Sequence, residues 1–147
     1  MEAGLNDYLN SKFDIEAKDI RTYSPLTMAY IGDAIFDVVI RSILVNKGNT
    51  AVNKLHQRAS AVVKAPTQAA MISALMDDLT DEEADWYRRG RNSKPHTKAK
   101  NATTMDYLEA TGFEAVVGYL YLTDNMDRIC ELVRLGIQRI GLDILNN

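Results

Sequence analysis

The sequence predicts an all-α fold, a helical bundle. Apolar residues recur at helical spacing along the 147-residue chain, two segments open with the side chains that start helices, and no convincing run alternates apolar with polar residues as a half-buried strand does. The first opening is Ser24-Pro25, an N-cap residue followed by a proline at the first helical position, where the missing N–H costs nothing. The second is Thr80 with Glu83, the spacing of a capping box.

In chain order, Leu5 to Phe13 reads as a short amphipathic helix and Asp14 to Tyr23 as a polar connection. Leu26 to Val45 is apolar almost all the way round, as expected of a central buried helix, and Gly48-Asn49 ends it. Thr50 to Val63 carries Val52, Leu55, Ala59 and Val62 at helical spacing. Ala65-Pro66-Thr67 reads as a break, with a helix resuming from Gln68 to Met76. The capping box opens a helix to about Arg89, and Gly90 to Thr97 reads as a loop containing Pro95. Asn101 to Ala110 reads as a short helix and Gly112 as the opening of another, to about Leu122. Met126 to Leu145 closes the chain as an amphipathic helix, giving about seven or eight helices in all.

Composition narrows the function classes. A hydrophobic fraction of 46% and a charged fraction of 25% are those of an ordinary globular protein. The single Cys130 excludes an internal disulfide, and no Cys/His constellation suits zinc. No glycine-rich phosphate loop or nucleophilic serine elbow is present; His56 and His96 are isolated, and Trp86 reads as a packing residue. No basic start followed by an apolar run opens the chain, and charge interrupts its most apolar stretches, so a soluble, cytoplasmic protein is expected. Residues 1–147 are read as one compact domain.

The net charge of −3 hides an asymmetry. Between Arg88 and Lys100 lie six basic residues (Arg88, Arg89, Arg91, Lys94, Lys98 and Lys100) and no acid; subtracting that +6 from −3 leaves −9 for the rest. The segment mixes these cations with His96, small polar donors, glycine and proline, and lacks an aromatic for stacking single-stranded bases. That composition favours phosphate and ribose contacts on an RNA duplex, although most short basic runs are only solvated surface.

Two carboxylates stand out. Asp33 follows Gly32 inside the most apolar helix, where an unpaired carboxylate needs a partner, a metal or a water-filled cleft. A glycine in mid-helix costs about 1 kcal/mol against alanine, so Gly32 points to a close approach by another group. Alternatively, Asp33 and Asp37 share a solvated stripe, being four residues apart. Glu114 is the only charge in Phe113-Glu114-Ala115-Val116-Val117-Gly118-Tyr119-Leu120; its spacing from Thr111 is also that of a capping box, and the capping reading is the simpler one. Two carboxylates from separate helices are the usual protein share of a magnesium site, with waters and substrate phosphate completing the shell.

These residues resemble a known family. Tyr30-Ile31-Gly32-Asp33-Ala34-Ile35 is similar to the ribonuclease III signature, and Phe113-Glu114-Ala115-Val116-Val117-Gly118-Tyr119-Leu120 to that family's second acidic motif, at a similar spacing of about eighty residues. Arg88-Arg89-Gly90-Arg91-Asn92, Lys100-Asn101 and Ala110-Thr111-Gly112-Phe113-Glu114-Ala115 resemble the mini-ribonuclease III branch, and the likeness runs from about Tyr23 to Arg139. The resemblance implies a homodimeric endonuclease-domain bundle without a separate double-stranded-RNA-binding domain. It implies Mg²⁺-dependent cleavage of duplex RNA to 5′-phosphate and 3′-hydroxyl ends, with Asp33 and Glu114 as catalytic metal ligands, and maturation of the 23S ribosomal RNA precursor. Larger relatives carry two further acids where this chain has Ala29 and Thr111, which implies fewer direct protein ligands. The competing reading is a silent scaffold that binds duplex RNA; such a scaffold has no need of Asp33 or Glu114.

Overall fold

Two helices, α2 (Pro25–Val45) and α6 (Thr103–Leu122), cross at the centre of the molecule, and the other helices pack around them. The computed structural model describes residues 4–93 and 103–144. Around the central pair lie α1 (Leu5–Lys12), α3 (Val52–Val63), α4 (Ala65–Leu75), α5 (Asp81–Arg91) and α7 (Met126–Arg139), and no strand occurs among the described residues. The all-α expectation holds.

Local chemistry explains where the helices begin. Ser24 Oγ accepts the Thr27 N–H at 3.1 Å, so the N-cap of α2 is built as its sequence predicts. At α5, Thr80 Oγ1 accepts from the Glu83 N–H at 3.1 Å while Glu83 Oε1 accepts from the Thr80 N–H at 2.9 Å, completing the capping box. Glu83 is buried and also receives Arg128 from α7, with Nε–H and Nη2–H donating to its two oxygens at 2.9 and 2.8 Å. Burial alone would raise the Glu83 carboxyl, but Arg128 and the Thr80 N–H outweigh it and hold the group below its ordinary range.

Other boundaries differ from expectation. Ala65 and Pro66 form the first turn of α4 instead of breaking the chain, because proline is tolerated where the helix has no N–H to use. Gly90 and Arg91 belong to the last turn of α5, not to a loop. The expected short helix and its successor are one continuous helix, α6, running through Ala110-Thr111-Gly112. The last helix stops at Arg139, ahead of Gly141 at φ +74°, short of the expected Leu145.

The core joins residues of both central helices to α4 and α7. Phe36 of α2 and Phe113 of α6 meet edge to face, with centroids 5.1 Å apart, among Ile40, Ile72, Ile129 and Ile137. Beside this core the two backbones touch. A Cβ added at Gly32 would lie 1.8 Å from the carbonyl oxygen of Glu114, and one at Gly118 would lie 1.9 Å from that of Met28. The same device brings α5 against α6, where a Cβ on Gly112 would meet the Tyr87 carbonyl oxygen at 2.8 Å. Gly112 therefore serves close packing rather than helix termination.

Gly32→Ala and Gly118→Ala should each lower stability by about 3 kcal/mol or more in urea denaturation, because the obstacle is backbone and cannot rotate away. Gly136→Ala is the control: its Cβ would meet only the flexible Met71 and Leu75 side chains, at 3.1 Å or more. It should stay within about 1 kcal/mol of wild type, helped by alanine's helix propensity. Equal loss in all three variants would mean that close backbone contact is not what matters at the central crossing.

Candidate active site

Because Gly32 rests against the backbone of Glu114, its neighbour Asp33 is carried to the same place. The Glu114 carboxyl lies within side-chain hydrogen-bond reach of Asp33, and both border a groove of about 450 Å³. Leu26, Ala29, Tyr30 and Ile31 line it from α2, and Tyr107 and Thr111 from α6. Asp33 is exposed, not enclosed as its apolar helix suggested, while Glu114 is half-buried. Asp37, the other acid on the expected solvated stripe, accepts from Arg41 Nε at 3.1 Å, an ordinary surface ion pair four residues apart. The two acids thus have different surroundings.

Glu114 is not a capping residue. It sits in mid-helix, and Thr111 Oγ1 donates to the Tyr107 carbonyl at 2.9 Å instead of receiving an N–H. Burial first, then the facing Asp33, push the Glu114 carboxyl up to about 8, and a hydrogen bond from Gln68 offsets part of that rise. Gln68, buried on α4, reaches Glu114 Oε2 from Nε2 at 3.2 Å. Sequence reasoning passed over this residue; the available signal was a lone amide in the apolar run Ala69-Ala70-Met71-Ile72 that follows it.

The donor set fits a hard divalent cation. It offers two carboxylates on facing helices at the side of an open groove, and no basic group among the described residues relieves their mutual repulsion. No cluster of three or more His, Cys, Asp or Glu occurs among the described residues, so waters and phosphate oxygens would supply the remaining ligands. Ala29 and Thr111, where the resemblance implies further acids in larger relatives, line this same groove.

The basic segment divides. Arg88, Arg89 and Arg91 stand on the last turn of α5, while Lys94, Lys98 and Lys100 lie outside the described residues. Arg88 pairs with Asp85 at the surface, and Arg89 lies over the Trp86 ring, 4.3 Å from its centroid. Arg91 Nε donates to Glu109 Oε1 at 2.7 Å, and the Tyr87 hydroxyl donates to Glu109 as well. The expected row of uncompensated charges is therefore wrong for Arg88 and Arg91, whose partners are Asp85 on the same helix and Glu109 on α6. Trp86 is a packing residue as read, stacked on Tyr119 at 6.0 Å. Cys130 and His56 are exposed and away from the groove; His96 lies outside the described residues.

The Ribonuclease III domain family matches residues 26–125, a span that contains both carboxylates. The chain is 44% identical over 124 residues to the Mini-ribonuclease 3 of Streptococcus pneumoniae, covering 83% of this chain and 97% of that one. With the Mini-ribonuclease 3 of Enterococcus faecalis it shares 44% identity over 126 residues, 84% of this chain and 96% of the relative. The crystal structure of a Fusobacterium nucleatum protein superposes with a TM-score of 0.74 at 33% identity, covering 82% of this chain and 98% of that one. Similarity of this extent, spanning the groove and both of the helices that form it, shows that the chain belongs to the mini-ribonuclease 3 branch of the ribonuclease III family and is an endoribonuclease.

Proposed function

We propose that this protein cuts both strands of duplex RNA with Mg²⁺ held by Asp33 and Glu114, leaving 5′-phosphate and 3′-hydroxyl ends. The observation that carries the reading is the meeting of these two carboxylates at the groove between α2 and α6. Mg²⁺ bound there supplies an activated attacking water and charge stabilisation at the scissile phosphate. Asp33 and Glu114, on opposite helices, would hold the ion, and the groove they border is open to a phosphodiester. The cytoplasmic precursor of 23S ribosomal RNA is the expected substrate, as the mini-ribonuclease III resemblance implies. No helix among the described residues is long and apolar enough to cross a membrane. The whole 147-residue chain acts as one catalytic domain, with Arg88, Arg89, Lys94, Lys98 and Lys100 holding the polyanion.

Asp33→Asn should abolish cleavage of labelled duplex RNA while leaving the fold and RNA binding intact, since the amide keeps the shape and removes the charge. Glu114→Gln should do the same. Full activity in either variant would exclude that residue as a ligand.

Glu114 also makes stability pH-dependent in the metal-free protein. Its folded value of about 8 lies above the ordinary 4.5, so the native state keeps a proton that the unfolded chain has released. Its contribution is fully present below pH 4.5 and is lost as pH rises to about 8. Urea midpoints in EDTA should show that decline, and Glu114→Gln should flatten it. An unchanged profile in the variant would mean the carboxyl titrates normally.

Changing Arg88, Lys94, Lys98 and Lys100 together to alanine should weaken duplex binding and reduce the slope of log K against log salt by about one per lost phosphate contact. Melting temperature should hardly move if the segment holds substrate and carries little of the fold's stability, since substitutions away from packed features usually shift stability by less than about 0.5 kcal/mol. Arg91→Ala should instead lower stability, because Glu109 loses its cation. RNA affinity unchanged in the fourfold variant would return the segment to solvated surface.

A homodimer completes the reading, because one chain supplies one carboxylate pair and a duplex has two strands. Away from the groove, α2 leaves Val45 58% and Val38 55% exposed, an apolar surface suited to a second copy. Sedimentation velocity should give twice the chain mass; an active monomer at all concentrations would exclude the dimer.

A further inference from the structure

Gln68 sits on α4, outside the two helices that carry the carboxylates, and is 2% exposed. Its Nε2 donates to the Val63 carbonyl at 2.7 Å and to Glu114 Oε2 at 3.2 Å. The Val63 carbonyl, which can only accept, fixes this orientation, because turning the amide over would set oxygen against oxygen there. Its own Oε1 is buried and has no hydrogen-bond partner among the described residues.

A residue chosen for core stability would look different. An apolar side chain of the same length fills such a position without a polar atom to satisfy, whereas a buried amide with an unmatched acceptor is penalised. What the amide does supply is a donor aimed at one oxygen of Glu114. The terminal torsion of a glutamate is broad and roughly two-fold, so a carboxylate beside an open groove does not hold one orientation unaided. Hydrogen bonds onto ligating carboxylates give that orientation in metal sites generally.

We propose that Gln68 is a positioning residue: by its hydrogen bond to Oε2 it holds the Glu114 carboxylate in the orientation in which Glu114 and Asp33 together grip a divalent cation. The inference rests on the metal-site reading above and extends the site to a third helix, α4. Gln68 is not among the residues that line the groove and acts through Glu114.

The test is Mn²⁺ binding followed by electron paramagnetic resonance on the full chain without RNA, for wild type, Gln68→Met, Gln68→Asn and Asp33→Asn. Methionine keeps the length and the burial but has no donor; asparagine keeps the amide but is one methylene too short to span both acceptors. Both Gln68 variants should bind Mn²⁺ about ten-fold or more weakly. They should need correspondingly more Mg²⁺ for cleavage, with unchanged duplex affinity in EDTA and a melting temperature that for methionine stays level or rises. Asp33→Asn should lose Mn²⁺ binding as well. If Asp33→Asn loses Mn²⁺ while both Gln68 variants bind it as wild type does, the positioning role is overturned and the metal site stands. If Asp33→Asn binds Mn²⁺ normally, the metal reading fails and takes this inference with it. A lowered melting temperature with unchanged Mn²⁺ affinity in the folded fraction would make Gln68 a structural residue only, which also overturns the proposal.

Discussion

The contact on which the rest of this structure depends is the backbone-to-backbone crossing of α2 and α6 at Gly32 and Gly118. Each glycine leaves room for a carbonyl of the opposite helix, and a methyl group at either position would lie within 2 Å of that oxygen. The gain is geometric as well as energetic. Close approach lets Phe36 and Phe113 interlock and brings the faces of both helices within van der Waals reach, where many small dispersion terms add. It also decides where the chemistry sits, since Gly32 abuts Glu114 itself and is followed in sequence by Asp33. Packing and site are therefore products of one constraint, and a substitution that loosens the crossing also separates the carboxylates.

Those carboxylates are held at a cost to the fold. Burial and the neighbouring Asp33 both disfavour a charged Glu114, and the Gln68 amide that donates to it leaves its own oxygen buried with no partner among the described residues. Isolated features of this kind weaken a protein; gathered at one groove they support the proposed cation site, because a divalent ion would remove a repulsion that no cation among the described residues relieves. The contrast with Glu83 is instructive. That acid is more deeply buried, yet Arg128 and the Thr80 N–H neutralise it within the protein, where it caps α5 and joins it to α7.

Much of this was legible in the sequence, and the exceptions share a cause. The starts of α2 and α5 could be read because their signals are local: Ser24 and Thr80 satisfy N–H groups three residues away. Gly32 was legible as a close approach because nothing else near it suggested a helix end. Gly112 carried the same meaning but followed a threonine and preceded a glutamate by two residues, so it imitated a helix start, and Glu114 was taken for its cap. Only the position of Tyr87 on another helix separates the two readings, and that is tertiary information. The partner of Arg91, Glu109, is eighteen residues away and could not be inferred from a run of basic residues; nor could that of Gln68, forty-six residues from Glu114. Asp33 was correctly singled out but wrongly enclosed: the helix is apolar around much of its circumference, and several of its apolar residues face outward.

The most direct measurement is a crystal structure grown with Mn²⁺ in place of Mg²⁺ and recorded at the manganese absorption edge, so that the ion announces its own position. The account predicts an anomalous peak in the α2–α6 groove, within about 2.0–2.3 Å of a carboxylate oxygen from both Asp33 and Glu114. A peak bound by only one of them, or lying elsewhere on the protein with the groove empty at saturating Mn²⁺, would contradict it.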